Sequence, residues 1–330
     1  MTSARAMAIM MIVLAAGMAF AAGAPEHEAA PARECTHRGL LDLMYCDQDR
    51  DLVADPPGDP KQWANPDTLV FAYTPVEDPA IYEDMWQPFL DHLARVTGKR
   101  VQFFPVQSYA AQVEAMRSGR LHVAGISTGP TPFAVNLAGY VPFAIMGGKE
   151  GQFGYTLQVY TRRDSGINSM ADLRGRRIAH VTPTSNSGHQ APSALFPGQG
   201  IVPGQDYEIV FSGSHENSML GVVAGDFAAA PVASEVVDRM AQRGLYDPSE
   251  VKIIYETDPF PTTSYGHAHN LHPDLAGKIK EAFFSYPFAG TPLGDEFKVD
   301  GFIPVTYQQH WRVIRTIQEH NKVVYTLDRL

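Results

Sequence analysis

Cysteine is scarce in this sequence, and its absence from most of the chain narrows the possible chemistry. Two cysteines occur among 330 residues, Cys35 and Cys46, and both precede the main body of the protein. A body without thiols argues against the capture of a soft ion such as arsenite, and neither cysteine stands in a lipid-attachment motif. In an oxidising compartment such a pair usually forms a disulfide, so we predict a Cys35–Cys46 bond that closes a small loop.

The sequence also lacks motifs and charge that many functions need. It contains no P-loop and no dinucleotide-binding G-x-G-x-x-G, and His310 and His320 are too far apart for a zinc-binding helix pair. Its formal net charge is -10, whereas a protein that binds nucleic acid needs a clustered basic face. We therefore expect no nucleic-acid partner.

The longest apolar run lies at the N-terminus and is typical of an export signal. Arg5 precedes an apolar stretch over residues 6–17, and the small residues of Ala19–Ala21 and Ala22–Ala24 fit a cleavage site. The stretch is short for a membrane span, and no basic stop sequence follows it. We predict a cleaved signal peptide at residues 1–22 and a periplasmic protein, with an uncleaved anchor as the alternative.

Residues 23–66 form a polar N-terminal extension that contains the two cysteines. Aspartates alternate within it, at Asp47, Asp49, Asp51 and Asp55. They resemble the start of a calcium loop, but Leu52 stands where such a loop has glycine, and no glutamate closes it. We interpret the segment as a solvated acidic turn and leave calcium binding open.

Histidines are densest near the end of the body, at His267, His269 and His272. Alternate residues of a strand share a face, so two of these side chains could ligate one metal ion. Because neither cysteine nor a matched acidic residue is near them in the sequence, we interpret them as loop histidines. We expect no metal and no cofactor.

From Thr68 onward, short apolar runs alternate with helical patterns, which is typical of an α/β fold. The apolar runs predict strands over residues 69–73, 101–104, 121–126, 154–160, 177–181, 207–211, 227–232 and 251–255. The helical patterns include residues 81–96, 109–118, 191–195, 273–284 and 307–321. Strands that alternate with helices need crossover connections, so we expect a largely parallel sheet.

Small polar residues gather where predicted strands pass into helices. The richest segment is Thr184-Ser-Asn-Ser-Gly-His189, where a helix N-terminus would offer unpaired N–H groups and partial positive charge to an anion. Comparable residues follow three further strands, at Tyr73–Pro75, Ser127–Pro130 and Ser212–His215. Each segment alone is compatible with a plain helix cap, but all four lie at carboxyl ends of strands, where α/β sheets bind ligands.

A family resemblance is carried by the segments Val70-Phe-Ala-Tyr-Thr-Pro75, Gly125-Ile-Ser-Thr-Gly-Pro130, Met170-Ala-Asp-Leu-Arg-Gly-Arg-Arg-Ile178, Thr184-Ser-Asn-Ser-Gly188, and Ser212-Gly-Ser-His215 with Val223-Ala-Gly-Asp226. Through them, residues 67 to 325 resemble the phosphate, phosphite and phosphonate family of ABC-transporter substrate-binding proteins. The resemblance implies an α/β, type II periplasmic-binding-protein fold, in which two lobes joined by a two-strand hinge close on the ligand. It places lobe 1 at residues 67–157 and 262–330, and lobe 2 at residues 158–261.

The same resemblance implies a site shared by the two lobes. The residues that would surround a small oxyanion from lobe 2 are Ser185, Asn186, Ser187, Gly188 and His215, with His189 as a further candidate. Those that would contact it from lobe 1 are Tyr73, Ser127 and Thr128. One position departs from the family: an acidic residue often follows the strand here occupied by residues 228–232, but this chain has Ala233, with Glu235 two residues later. The departure makes an aminoalkyl phosphonate less favoured, because that carboxylate can pair with a ligand amine.

These features predict a monomeric binding protein, not an enzyme, that captures phosphate, phosphite or a phosphonate and passes it to an ABC permease. The alternative is an oxyanion sensor of the same fold that docks on the periplasmic domain of a sensor kinase, which the disulfide-containing extension would favour. Catalysis is the third and weakest possibility. Residue identities do not decide between oxyanions that differ by one substituent.

Overall fold

The computed structural model describes residues 35–148 and 154–330, and the predicted signal peptide at residues 1–22 lies outside them. The strands of this part are β1 (Thr68–Tyr73), β2 (Arg100–Phe103), β3 (Val123–Ile126), β4 (Tyr140–Gly147), β5 (Leu157–Arg162), β6 (Arg177–His180), β7 (Glu208–Phe211), β8 (Ala229–Ala233), β9 (Val251–Glu256), β10 (Ser264–Ala268) and β11 (Gly301–Pro304). Its α-helices are α1 (Tyr82–Thr97), α2 (Tyr109–Arg117), α3 (Thr131–Ala138), α4 (Ala191–Leu195), α5 (His215–Ala224), α6 (Ser234–Gln242), α7 (Pro273–Ser285), α8 (Pro292–Phe297), α9 (Tyr307–His310) and α10 (Arg312–His320). None of the helices in these ranges is both long and apolar enough to span a bilayer.

Two separate sheets divide the strands. The first has the order β11-β4-β10-β3-β1-β2, and the second has the order β7-β6-β8-β5-β9. In each sheet a parallel set is joined to antiparallel strands: β10 runs against β3 and β4, and β5 runs against β8 and β9. The expectation of a largely parallel sheet is therefore wrong, because the strands that return from the other sheet enter with the opposite direction.

The chain passes between the two sheets twice, after β4 and after β9. The two connecting segments are hydrogen-bonded to each other, since the Tyr155 N–H donates to the Phe260 carbonyl at 3.0 Å and the Phe260 N–H donates to the Tyr155 carbonyl at 2.8 Å. Paired extended segments of this kind form a two-strand hinge. The lobe boundaries at residues 157 and 262 remain a prediction.

Helices cover the sheets through apolar faces. In α1, the side chains of Trp86, Phe89 and Leu93 are fully buried, and the rings of Trp86 and Phe89 lie 4.8 and 5.9 Å from that of Phe71 in β1. Full burial of each such side chain contributes about 1.5–3 kcal/mol. The helix ends at Gly98, whose φ of 70° is the left-handed conformation that glycine adopts readily.

The N-terminal extension packs against the first sheet and its helices. Its predicted disulfide is present, with the Cα atoms of Cys35 and Cys46 5.6 Å apart. The ring of Tyr45 contacts that of His269 edge-on at 4.9 Å, and the Ala64 N–H donates to the Asn270 carbonyl at 2.7 Å. The described part of the extension, residues 35–66, is thus held by the body of the protein.

Two further expectations differ from the structure. The predicted helix over residues 307–321 is broken at Trp311, whose indole N–H donates to the Thr128 carbonyl at 3.1 Å. His267 lies in a strand, not a loop, because β10 is paired on both sides. Sequence patterns also missed β4, β10 and β11, which are tied to the sheet by partners distant in sequence.

A buried ionic group joins elements that belong to different sheets. Glu77, which follows β1, accepts hydrogen bonds from Arg239 at 2.9 Å, from the Tyr82 hydroxyl at 3.0 Å and from Arg243. The side chain of Glu77 is fully buried and that of Arg239 is 5% exposed. Charges taken out of water in this way persist only when they are paired and hydrogen-bonded. The contact therefore favours the arrangement in which the two sheets lie close together.

We expect Glu77→Ala to lower the free energy of unfolding by about 3–5 kcal/mol, because Arg239 would be left buried without its partner. Urea denaturation measures this change. Glu114→Ala, at an exposed position in α2, is the matched control and should stay within about 0.5 kcal/mol of the wild type. Equal unfolding midpoints for the two variants would contradict the structural role of Glu77.

Candidate functional site

The turn after β3 meets the turn after β6 at the junction of the two sheets. A Cβ atom placed on Gly129 would lie 2.1 Å from the Thr184 carbonyl oxygen and 2.5 Å from the Asn186 nitrogen. Real Cβ atoms do not approach other atoms so closely, so only glycine allows these two backbones to touch. The polar segments that the sequence singled out in each half are thereby brought together.

The segment that follows β6 begins with a tight helical turn. Ser185 precedes a π-helical turn at Asn186–Gln190 that continues into α4, and the Ser185 Oγ accepts the Gly188 N–H at 3.2 Å. A Cβ on Gly188 would lie 2.4 Å from Val181 Cγ2, so the turn requires glycine at this position. The start of such a turn presents N–H groups that have no partner within the helix, which suits an anion.

His215 stands at the start of α5 with a fixed tautomer. The Ala233 N–H donates to its Nδ1 at 3.2 Å, so Nδ1 is the acceptor nitrogen and the proton resides on Nε2. Nε2 lies 3.5 Å from the Ser185 hydroxyl oxygen. Burial lowers the pKa of His215 to about 3, and the neighbouring Arg239 acts in the same direction. His215 is therefore a neutral hydrogen-bond donor at neutral pH.

Several buried polar atoms at this junction lack a hydrogen-bond partner among the described residues. They are the Ser187 hydroxyl, the Asn186 Oδ1 and the Tyr109 hydroxyl. Asn186 donates through Nδ2 to the Tyr155 hydroxyl at 3.0 Å, and that phenol also lies beside Ser187 and Thr128. A buried polar group without a partner costs about 1–3 kcal/mol, so a cluster of them is a place where a ligand supplies the missing bonds.

The residues predicted from the first sheet lie at the same junction. Tyr73, at the end of β1, is buried with its ring 6.4 Å from that of Tyr265, and burial raises the pKa of its phenol. Ser127 lies beside the Tyr109 phenol. Thr128 donates its hydroxyl proton to the Pro261 carbonyl at 2.8 Å, so its side chain holds the hinge segment and has no proton left for a ligand.

His189 is directed elsewhere. Its Nδ1 lies 2.9 Å from Nδ1 of His180, and its ring contacts that of Phe211 at 5.1 Å. Burial lowers the pKa of His189 to about 4. Nε2 of His180 in turn lies 2.8 Å from the Tyr207 hydroxyl oxygen. The structure thus places His189 in a packing cluster around β6 and β7, apart from the cluster around Tyr155.

Glu235 is the main residue that sequence reasoning left out of the site. It lies in the first turn of α6, and it accepts hydrogen bonds from the Thr262 hydroxyl at 2.7 and 2.9 Å. Burial raises the pKa of this carboxyl group, while Arg239 and the Thr262 hydroxyl lower it. Its charge also contributes to the raised pKa of Tyr155, after the larger effect of burial. Its position two residues beyond Ala233 was visible in the sequence, but its contact with Thr262 was not.

Tyr109 and Tyr155 were also missed, because a single tyrosine gives no pattern.

The sequence also contains the G-x-S-x-G form of a hydrolase nucleophile turn, at Gly125-Ile-Ser-Thr-Gly129. Such a serine needs a base within hydrogen-bond reach. Among the described residues, the side chain beside Ser127 is the Tyr109 phenol. No histidine of these residues is hydrogen-bonded to Ser127. The pattern here marks the glycine needed at residue 129.

Comparison with protein families gives one match over most of the body. A family model described as the periplasmic substrate-binding protein of a phosphonate ABC transporter matches residues 71–311. The phosphate-import protein PhnD of Mycolicibacterium smegmatis is 28% identical over 267 residues, which covers 73% of this chain and 82% of that protein. The tetrathionate sensor histidine kinase TtrS of Salmonella typhimurium is 23% identical over 227 residues, which covers 62% of this chain and 37% of the kinase.

The fold is similar to that of a solved binding protein. PhnD1 from Prochlorococcus marinus, in complex with methylphosphonate, superposes with a TM-score of 0.70 at 16% sequence identity. The match covers 78% of this chain and all of that protein. At this identity the likeness is one of fold.

Replacing His215 is expected to change how stability depends on pH. The unfolded chain binds a proton at this residue below pH 6.5, whereas the folded chain does so only near pH 3, so stability is lost as pH falls through this range. Between pH 7 and pH 5 the loss attributable to His215 is about 2 kcal/mol. Urea denaturation at both pH values should show a loss smaller by that amount in His215→Gln. The same loss in both proteins would contradict the buried neutral state.

Proposed function

The chain belongs to the family of phosphonate periplasmic substrate-binding proteins of ABC transporters, and from that premise we propose how it recognises its ligand. Its two sheets are the two lobes of a type II periplasmic-binding-protein fold. In this proposal the turns after β3 and β6 enclose a small phosphorus oxyanion, which is phosphate, phosphite or a phosphonate. The protein then delivers the oxyanion to an ABC permease.

The observation that carries the proposal is the set of buried hydroxyls without partners where the two turns meet. Ser187 and Tyr109 come from different lobes, and neither buried hydroxyl meets a partner in hydrogen-bond geometry among the described residues, although Ser187 lies beside the Tyr155 phenol and Tyr109 beside Ser127. The residues proposed to contact the ligand are Tyr73, Tyr109, Ser127, Tyr155, Ser185, Asn186, Ser187, Gly188, His215 and Glu235, with Thr128 through its backbone. Apart from Glu235, this set offers neutral donors, so the charge of the oxyanion is balanced by oriented dipoles rather than by a bound cation.

Glu235 gives the proposed site one strong acceptor among these donors. A phosphorus oxyanion that keeps a proton at neutral pH can donate it to this carboxylate. Sulfate is fully ionised and has no such proton, so the same carboxylate repels it. We therefore propose that Glu235 selects a protonated phosphorus oxyanion over sulfate.

A cavity of about 480 Å³ adjoins the proposed site on the side of Glu235. Its lining includes Tyr155, Glu235, Asp238, Arg239 and Glu296. The space exceeds what a bare tetrahedral anion needs. Its three carboxylates outnumber the two cations of the lining, Lys298 and the Arg239 already paired with Glu77, so the cavity suits an organic substituent that bears an amine. The low preference for aminoalkyl phosphonates inferred from Ala233 is therefore revised, because Glu235 takes the place of the carboxylate that residue 233 lacks.

We propose that the protein binds and releases its ligand without chemical change. Within residues 35–148 and 154–330 no basic side chain is hydrogen-bonded to Ser127, and a carrier needs only opening and closing. Export through the cleaved signal peptide at residues 1–22 would bring the protein to the periplasm, the compartment in which its family functions. In this proposal it acts there as a monomer. An unchanged ³¹P spectrum after prolonged incubation with the bound ligand supports this part, whereas a new phosphorus resonance overturns it.

A sensing function is the second candidate. It is supported by the partial similarity to a tetrathionate sensor kinase and by the disulfide-bonded extension that precedes the lobes. Deletion of the gene separates the two functions in the cell of origin. Loss of phosphorus-oxyanion uptake supports transport, and normal uptake with a lost transcriptional response supports sensing.

The first experiment is a thermal-shift panel on protein freed of ligand by unfolding and refolding. Phosphate, phosphite, methylphosphonate, 2-aminoethylphosphonate and sulfate are compared at pH 7. A ligand present at about 100 times its Kd stabilises the folded state by about 2.7 kcal/mol, so binding raises the midpoint visibly. We expect at least one phosphorus oxyanion to raise it and sulfate not to do so. No shift with any phosphorus compound would overturn the proposed ligand.

Ser187→Ala tests the location of the site. Removing this hydroxyl deletes one hydrogen bond to a charged ligand, so binding should weaken by about 1.5–3 kcal/mol. Isothermal titration calorimetry with the ligand found in the panel measures the change. Ser193→Ala is the matched control, since that hydroxyl donates to the His189 carbonyl within the following helix. Unchanged affinity in Ser187→Ala would show that the oxyanion binds elsewhere.

A further inference from the structure

A single loop of the N-terminal extension concentrates negative charge directly after the disulfide. Its aspartates are Asp47, Asp49, Asp51 and Asp55. One ligand oxygen from each of the first three lies within 4.8 Å of the others, although carboxylates repel each other at such distances. Among the ion pairs of the described residues, the basic group near these carboxylates is His37, whose Nδ1 is 3.6 Å from Asp47 Oδ2. The loop therefore carries more negative charge than its neighbours balance.

Asp47 adds an independent observation, because its carboxylate is buried and incompletely bonded. Its side chain is 1% exposed, and Oδ2 accepts the Leu52 N–H at 3.3 Å. Its Oδ1 is also buried and has no hydrogen-bond partner among the described residues. A carboxylate oxygen is rarely kept away from water without a partner unless it coordinates a metal ion. This carboxylate belongs to the converging set, so the buried oxygen with the unmet bond is on one of the three side chains whose oxygens converge.

The sequence differs from a calcium loop at two positions, the glycine and the closing glutamate, and the structure bears on both. Leu52 occupies the position of the glycine in a calcium loop, and it adopts φ 73°, the left-handed conformation that glycine supplies there. No glutamate closes the loop, but Asp55 turns back towards its start, where its Oδ2 accepts the Gln48 N–H at 2.6 Å. The loop thus has a fourth carboxylate near its beginning.

We propose that this loop binds a calcium ion through Asp47, Asp49 and Asp51, with Asp55 close by. The donors are all carboxylate oxygens, which are the hard ligands that calcium prefers, and no thiolate is available because both cysteines are in the disulfide. An irregular set of alternating carboxylate ligands suits calcium better than magnesium, which demands a near-ideal octahedron. The bound ion neutralises the cluster and supplies the partner that Asp47 lacks.

The proposed ion would fasten the extension to the first lobe. The loop already contacts that lobe at two points: Nδ1 of His269 lies 3.0 Å from the Asp55 carbonyl, and Gln308 Nε2 donates to the Arg50 carbonyl at 3.0 Å. Both contacts use backbone carbonyls of the loop and leave its carboxylates to the loop itself, where each accepts a backbone N–H through one oxygen. The proposal is independent of the oxyanion site, which lies where the two lobes meet.

Calcium titration of the purified, disulfide-bonded chain tests the proposal after treatment with a chelator. Isothermal titration calorimetry with calcium chloride should show one site with a Kd of about 10⁻⁴–10⁻³ M, the range of extracellular modules, and weaker binding of magnesium. Calcium should also raise the thermal midpoint, and the chelator should reverse the rise. Absence of binding heat together with an unchanged midpoint would overturn the proposal.

Variants at exposed positions show whether the ion binds in this loop. Asp49 and Asp51 are exposed, so Asp49→Asn and Asp51→Asn remove a charged ligand without disturbing a core. Each should weaken calcium binding at least about tenfold, because affinity follows the count of charged ligands. Asp67→Asn, at an exposed position outside the loop, should bind calcium like the wild type. Calcium binding that is unaffected by the two loop variants would assign the ion to another place and overturn the proposal.

Discussion

The contact between two backbone turns is the constraint on which the rest of the structure depends. Gly129 lies against Thr184 and Asn186 so closely that no side chain fits between them. This contact brings the end of β3 in one lobe to the end of β6 in the other. Ser187 and Tyr109, which stand far apart in sequence, both lie near the Tyr155 phenol at the place where the two turns touch. The proposed site is therefore a property of the closed arrangement and is absent from either lobe alone.

Charge burial acts on the same arrangement from a different place. Glu77 from one lobe and Arg239 from the other lose their hydration and form an ion pair when the lobes meet. Such an exchange gains little net free energy, because the cost of leaving water offsets most of the attraction. A weak net preference is suited to a protein that must open again. The ionic group then sets the alignment of the lobes more than it holds them shut.

The sequence was sufficient for those features that are local. Alternating apolar runs and helical patterns located most strands, and the turn at Ser185–Gly188 was recognisable from its small polar residues and the glycine that its close packing requires. Strand β10 was not predicted because its residues, among them Gly266 and His267, have no apolar alternation. They are extended because β10 pairs with β3 and β4. Glu235 was missed because the sequence does not show that Thr262, 27 residues later, donates a hydrogen bond to its carboxylate. Local sequence patterns predict helices and strands, whereas the proposed site is completed by side chains that only the tertiary structure brings together.

His215 has one more consequence. An ordinary histidine changes its charge between pH 5 and pH 8, and a recognition site that uses one becomes sensitive to the acidity of its surroundings. The amide of Ala233 and the buried position keep His215 in one tautomer and one charge state far into the acid range. In the proposed site its hydrogen bond is thus a constant, and acidity acts on recognition through the ionisation of the ligand and of Glu235. A protein that meets whatever medium surrounds the cell would in this way keep one contact to its ligand unchanged while the acidity outside fluctuates.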